Sequence, residues 1–148
     1  MSIIGLLGLV NFAALSMVRT TSYRVYDRGV MHDFMAHYLE QIKSLPFDQV
    51  VANGPVNGLY NGVGGVPNIR IPTTTAWFSL TNSDYQAFHP DLVWLSRRSP
   101  QARVTLTTSS LGGQPHDKQV TLEVKWQSQL SPGKWEYRRL DLVRVRDL

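Results

Sequence analysis

Cysteine is absent from the chain, and histidine occurs only four times. The lack of cysteine excludes a disulfide framework, a thiol nucleophile and a thiolate metal site. Acidic and basic residues are unevenly spread, because residues 1–96 hold five Lys/Arg against six Asp/Glu and residues 97–148 hold ten against five. The length of 148 residues and a hydrophobic content of 43% suit one folded unit with an extension.

Charge is also absent from residues 1–18, MSIIGLLGLVNFAALSMV, which are apolar around the whole circumference of a helix. Eighteen residues are at the short end of what spans a hydrocarbon core, so we favour a membrane helix. A cleaved signal peptide fits less well, since no basic residue precedes the run and Ala13-Ala14-Leu15 is a poor cleavage site. The third alternative is a buried core helix, which a core this small could not cover on every side.

Charged residues begin at Arg19, and from Val30 onward apolar residues recur at three- and four-residue steps. This period predicts an amphipathic half-helix over 24–45 that buries one stripe and ends at Pro46. Gly29 inside it suggests a bend or close packing. A continuous helix over residues 1–45 would be about 65 Å long and would leave the domain. The predicted stripe comprises Val30, Met31, Phe34, Tyr38, Leu39, Ile42 and Leu45.

A loop follows the helix, because residues 52–68 contain five glycines, four asparagines and two prolines. A phosphate-binding loop would end in Gly-Lys-Ser/Thr, whereas this segment has Val66-Pro67, so we interpret it as a structural connection. We expect residues 69–100 to be loop with short strands, with an irregular aromatic part that Pro90 interrupts.

Alternation of apolar and polar residues predicts strands in the last third of the chain, where we place an antiparallel sheet over 101–146. Ser131-Pro132-Gly133-Lys134 fits a type II turn between the last two of three strands. In the last strand the apolar residues change parity after Tyr137, which predicts a bulge or cover on both faces. The predicted fold class is α+β, with one long N-terminal helix packed on a small antiparallel sheet.

Three consecutive features carry a resemblance to a known family: an apolar half-helix, an amphipathic half-helix leaving through Leu45-Pro46-Phe47-Asp48, and a glycine-rich loop. They resemble the N-terminal region of type IV pilins and of the pseudopilins of type II secretion. The stretch AHYLEQIKSLPFDQV at 36–50 is most similar to minor members of that superfamily. The resemblance covers about the first third of the chain.

The resemblance implies a minor pilin or pseudopilin, a structural subunit and not an enzyme. Residues 1–23 would be the transmembrane and filament-core half of the helix, and residues 24–148 the globular domain. Expected partners are other pilins or pseudopilins, the membrane and an inner-membrane assembly platform, with no small-molecule substrate. The expected location is the bacterial inner membrane with the domain in the periplasm, or an extracellular filament. The expected membrane and filament interface consists of Ile3, Leu6, Leu7, Val10, Phe12 and Leu15.

The chain departs from the family at its start. A basic leader, a glycine before the cleavage point and a Phe-Thr/Ser-Leu-x-Glu run are not found before or in MSIIGLL. The role of the family's early glutamate therefore transfers to no residue here. Arg19, Arg24 and Arg28 follow the span with nothing basic before it, which by the positive-inside rule would leave the domain in the cytoplasm. A basic leader would offset that bias, so we expect residues to be missing before Met1.

Chemistry-bearing residues form no recognisable constellation. His32 and His37 are five apart and so lie on different helix faces, whereas a zinc pair would be four apart. His89 and His116 have no nucleophile and base around them. Some pilins bind calcium, and Asp84 with Asp91 could contribute oxygens, although no regular ligand spacing is visible. We therefore predict no metal site, no cofactor and no catalysis.

Two alternative functions remain open. Some minor pilins bind DNA, and Arg97, Arg98, Arg138 and Arg139 in the basic last third could contact phosphates. Against this, alternation along a strand sends Arg138 and Arg139 to opposite faces. The other alternative is an unrelated membrane-tethered domain.

Overall fold

The computed structural model describes residues 3–56 and 67–146, with side chains from Ala14 onward within those ranges. The predicted fold class is confirmed, because the chain is α+β with a long N-terminal helix and an antiparallel sheet. Most of the predicted glycine-rich loop, residues 57–66, lies outside the described residues.

Helix α1 runs without a break over Ile3–Ser44, 42 residues, and is about 63 Å long. It ends two residues before Pro46, as predicted. The prediction of close packing at Gly29 is wrong within the described chain, since a Cβ built there would meet nothing within 4 Å.

The predicted stripe on α1 is confirmed. All seven of its residues are buried, and Met35 is buried with them. Phe34 lies at its centre, with ring contacts to Tyr38, Tyr85 and Phe88. The stripe contacts the sheet on one side and a 3-10 helix at Pro90–Arg98 on another. The C-terminal half of α1 is therefore an integral part of the core.

The sheet has four strands in the order β1-β2-β3-β4, all antiparallel to their neighbours. The three long strands were predicted, and the structure adds a two-residue edge strand. A two-residue turn with Gly112 and Gly113 at φ 61° and 80° joins the second strand to the third. The strands are β1 at Phe78–Ser79, β2 at Gln101–Leu111, β3 at Gln114–Gln127 and β4 at Trp135–Val145.

The turn before β4 is the predicted one. Lys134 N donates to Ser131 O at 3.0 Å, and Gly133 has φ 81°. Pro132 cannot adopt positive φ, so a positive value at the third position alone identifies a type II turn.

Of the two alternatives predicted for β4, a bulge or cover on both faces, the bulge is not present. β4 pairs with β3 without interruption from Gln127↔Trp135 to Asp117↔Val145, and the register shift falls in β2 between Ser109 and Ser110. The change of parity instead reflects partial cover of the outer face. Trp77 lies there, with the Lys125 ammonium 4.3 Å from its ring centre and the Tyr137 ring 6.1 Å away.

The expectation of an irregular segment at 69–100 is also wrong for its second half. Helix α2 covers Ser83–Phe88, and the Asn82 side chain caps it by accepting a hydrogen bond from Asp84 N at 2.8 Å. Pro90 does not interrupt an irregular segment but begins the 3-10 helix Pro90–Arg98. The first N–H of a helix has no partner within it, so the missing N–H of proline has no cost there. Leu92 and Leu95 are buried because a 3-10 helix repeats every three residues.

Candidate functional site

The candidate site is the part of α1 that leaves the domain, residues 14–26, which we name the exit segment. Its apolar side chains are uncovered: Leu15 is 69% exposed, Met17 75%, Val18 64% and Val25 65%. These positions point in several directions around the helix axis. An apolar helix surface of this kind is unusual in a soluble monomer and marks a surface that another apolar layer covers.

Two hydroxyl groups of the exit segment are satisfied within the helix. Thr20 Oγ1 donates to Ser16 O at 2.7 Å, and Ser22 Oγ donates to Val18 O at 2.9 Å. Such bonds to the carbonyl four residues earlier let a hydroxyl sit in apolar surroundings without a partner from outside.

A pair of arginines fixes the helix to the sheet where the exit segment meets the domain. Glu136 on β4 accepts from Arg24 Nε at 3.1 Å and from Arg28 Nε at 2.9 Å. The Glu136 side chain is only 12% exposed, whereas both arginines reach solvent. Because Arg24 and Arg28 are four residues apart, they lie on the same face of α1. One carboxylate therefore binds two arginines that lie on successive turns of the helix.

A second acidic residue faces the 3-10 helix. Asp27 is buried to 8% exposure, with its Oδ2 4.0 Å from Arg98 Nε. Burial raises the pKa of Asp27, the positive charge of Arg98 opposes this, and the negative charge of Glu136 adds to it. The contact is long for an ion pair, so the Arg98 guanidinium keeps capacity for another anion.

These elements border an open cavity of about 440 Å³ where α1, the 3-10 helix and the β3–β4 turn meet. Its wall combines guanidinium groups, hydroxyls and aromatic rings, and Trp94 on its rim is 73% exposed. We name it the collar cavity. It is lined by Ser16, Arg19, Thr20, Tyr23, Tyr26, Asp27, Trp94, Arg98 and Gln129.

Of the six predicted interface residues, only Leu15 has a described side chain, and it is 69% exposed. The side chains of Ile3, Leu6, Leu7, Val10 and Phe12 lie outside the described residues, although their backbone is helical.

The four arginines predicted for DNA contact are not gathered in one place. Arg138 pairs with Val124 and Arg139 with Glu123, so they leave β4 on opposite faces, as alternation predicts. Both border a smaller cavity with Arg28 and His32. Arg139 is also bound to Asp141 at 3.1 Å, and Arg98 lines the collar cavity instead. DNA contact stays a prediction, and the four arginines share no common face that would favour it.

Residues expected to carry chemistry have structural contacts. The His37 ring stacks on Phe88 with centroids 4.3 Å apart, and His89 lies 5.9 Å from His37. Within residues 3–56 and 67–146, no cluster of three or more His, Asp or Glu side chains is arranged to hold a metal ion. Neither Asp84 nor Asp91 belongs to such a cluster.

Sequence reasoning missed Trp94 and Gln129, which both border the collar cavity. Trp94 is two residues after the buried Leu92, so on a 3-10 helix it faces differently from the core leucines, but that signal needs the helix at 90–98 to be recognised. Gln129 is brought in by the β3–β4 turn, and nothing in its neighbourhood marks it.

Among the described residues, no helix combines the length and the apolar character that crossing a membrane requires. Most of the uncharged run at residues 1–18 precedes the first described side chain. No protein-family model matches the chain, and neither a curated protein nor a solved structure matches it.

Proposed function

We propose that the chain is a minor pilin or pseudopilin, held in a bacterial inner membrane by the first half of α1 and assembled into a filament through the same half. Its domain would lie in the periplasm or on the extracellular filament. The observation that carries this proposal is the uncovered apolar surface of the exit segment.

The energetic argument is the cost of leaving that surface in water. Full burial of a leucine, valine or methionine side chain contributes about 1.5–3 kcal/mol. Leu15, Met17, Val18 and Val25 gain less than half of this from the described residues, since each is more than half exposed. A lipid bilayer or the helices of neighbouring subunits would supply the missing apolar layer.

The two halves of α1 differ in the way that a filament subunit requires. The second half is buried by its own domain from Val30 to Leu45, so its contacts are complete. The first half projects and has no partner among the described residues. Lipid and a helical filament core are equally apolar, so transfer between them needs an assembly machine in addition to hydrophobicity.

The test replaces Leu7 by arginine. A charge at the centre of a membrane helix costs about 2.5–3.5 kcal/mol, so Leu7→Arg should lose membrane retention and filament assembly. The domain should still fold, because its core begins at Val30. Cell fractionation, filament purification and circular dichroism measure the three properties.

Glu40→Arg is the matched control, since Glu40 is exposed on the domain half of the same helix. It should leave membrane retention intact. Normal retention and assembly of Leu7→Arg would contradict the proposed function.

A further inference from the structure

The collar cavity has the composition of an anion site. Arg19 and Arg98 both contribute guanidinium groups to its wall, against the single carboxylate of Asp27. Within the described chain, no carboxylate lies at ion-pair distance from Arg19, whose Nε instead donates to Tyr23 Oη at 3.4 Å. Asp27 engages Arg98 only at 4.0 Å. Positive charge is therefore in excess there.

The cavity therefore suits a ligand that brings a negative charge, which both guanidinium groups can bind.

The position of the cavity indicates where such a ligand would come from. Arg19 is the first charged residue after the uncharged run. Tyr23, Tyr26 and Trp94 are exposed beside it. Tyrosine and tryptophan at the end of an apolar helix, together with arginine, are typical of the level at which lipid headgroups lie.

We propose that the collar cavity binds the headgroup of an anionic phospholipid, with phosphatidylglycerol as the probe. Arg19 and Arg98 contact the phosphate, and Trp94 lies against the lipid surface. The domain is thereby seated on the bilayer. This inference rests on the proposed function, because the cavity reaches headgroups only when the first half of α1 lies in the membrane.

The test uses the full chain in lipid nanodiscs that contain, at equal mole fraction, either phosphatidylglycerol or phosphatidylcholine carrying a nitroxide near the start of one acyl chain. The difference in fluorescence between the wild type and Trp94→Phe isolates the signal of Trp94. We expect the labelled phosphatidylglycerol to quench Trp94 more strongly than the labelled phosphatidylcholine. Arg19→Gln should lower this preference about fivefold, which is the contribution of one arginine at an anionic surface.

Lys43→Gln is the matched control, because it removes one exposed charge from the same helix about 36 Å from Arg19. It should leave the preference unchanged. Equal quenching by the two lipids, or an unchanged preference in Arg19→Gln, would overturn the headgroup site.

Two further outcomes distinguish failure of the headgroup site from failure of the proposed function. If inorganic phosphate alone changes Trp94 fluorescence in phosphatidylcholine nanodiscs and abolishes the preference, the cavity takes free phosphate and the lipid assignment fails. If the full chain does not float with vesicles of either lipid, the proposed function fails. Flotation without a lipid preference contradicts only the headgroup site.

Discussion

Lys118 Nζ donates a hydrogen bond of 2.7 Å to the carbonyl oxygen of Phe47, which joins β3 to the turn that follows α1. The same ammonium lies 4.5 Å from the centre of the Phe47 ring. A second cation acts nearby, since Arg144 Nη2 donates to Leu45 O at 3.0 Å. Carbonyls at the C-terminal end of a helix lack partners and carry partial negative charge. The sheet thus supplies charged donors to the carbonyls of the turn that follows α1.

The first prediction concerns this contact. Lys118→Met should lower the free energy of unfolding by about 2 kcal/mol, because it leaves the Phe47 carbonyl without its charged donor. Urea denaturation measures the change. Lys134→Met, in the exposed turn before β4, is the control and should change stability by less than about 0.5 kcal/mol. Equal effects of the two substitutions would contradict the assignment.

The second prediction concerns the centre of the core. Phe34 is fully buried and its ring meets those of Tyr38, Tyr85 and Phe88. Phe34→Ala should destabilise the domain by about 3–5 kcal/mol, since the cavity cannot collapse between a helix and a sheet. Thermal unfolding measures it. Val143→Ala removes an exposed side chain, and a comparable loss there would show that Phe34 is not central.

The third prediction compares two glycines. Gly29 is exposed within α1 and a Cβ would meet nothing, so Gly29→Ala should raise the free energy of unfolding by about 1 kcal/mol. Gly112 has equally open space but φ +61°, so Gly112→Ala should lower it by about 1–2 kcal/mol. Chemical denaturation of the full chain measures both changes in the free energy of unfolding. The same sign for both substitutions would mean that backbone conformation does not decide these positions.

The fourth prediction is a pH dependence. Burial lowers the pKa of His89 below 6.5, the positive charge of His37 adds to this, and Asp91 and Asp33 oppose it. The unfolded chain therefore binds a proton at higher pH than the folded chain. The stability from neutral His89 is fully present above pH 6.5 and is lost as the pH falls toward the folded-state value.

His89→Asn should reduce the loss of stability between pH 7.5 and pH 5 in urea titrations. His32→Asn is the control, because His32 is exposed on α1. A pH dependence that survives in His89→Asn and disappears in His32→Asn would contradict the assignment.

The sequence predicts those parts of the fold that depend on local periods. The stripe from Val30 to Leu45 follows from three- and four-residue spacing, and the turn at 131–134 follows from Pro132 and Gly133. The 3-10 helix was not predicted, because a proline such as Pro90 can either end one element or begin the next. Only the burial of Leu92 and Leu95, which are three residues apart, decides between these two roles.

The candidate site was predictable only where it depends on hydrophobicity. Leu15 belongs to an apolar run that is visible in the sequence. The collar cavity depends on Tyr26, Trp94 and Gln129, which lie on three different elements. Their approach is fixed by long-range packing, and in particular by the binding of Arg24 and Arg28 to Glu136, which no local pattern encodes.

The shared carboxylate of Glu136 has a mechanical consequence. A shift of α1 by one residue past the sheet would move each arginine about 1.5 Å along the axis and turn it by about 100°, which would break both contacts at once. The two contacts therefore restrain both the sliding of α1 along its axis and its rotation about that axis relative to the sheet. A partner that binds the projecting end of α1 also sets the direction in which the sheet faces. A torque applied to the helix at residue 15 is therefore transmitted to β4.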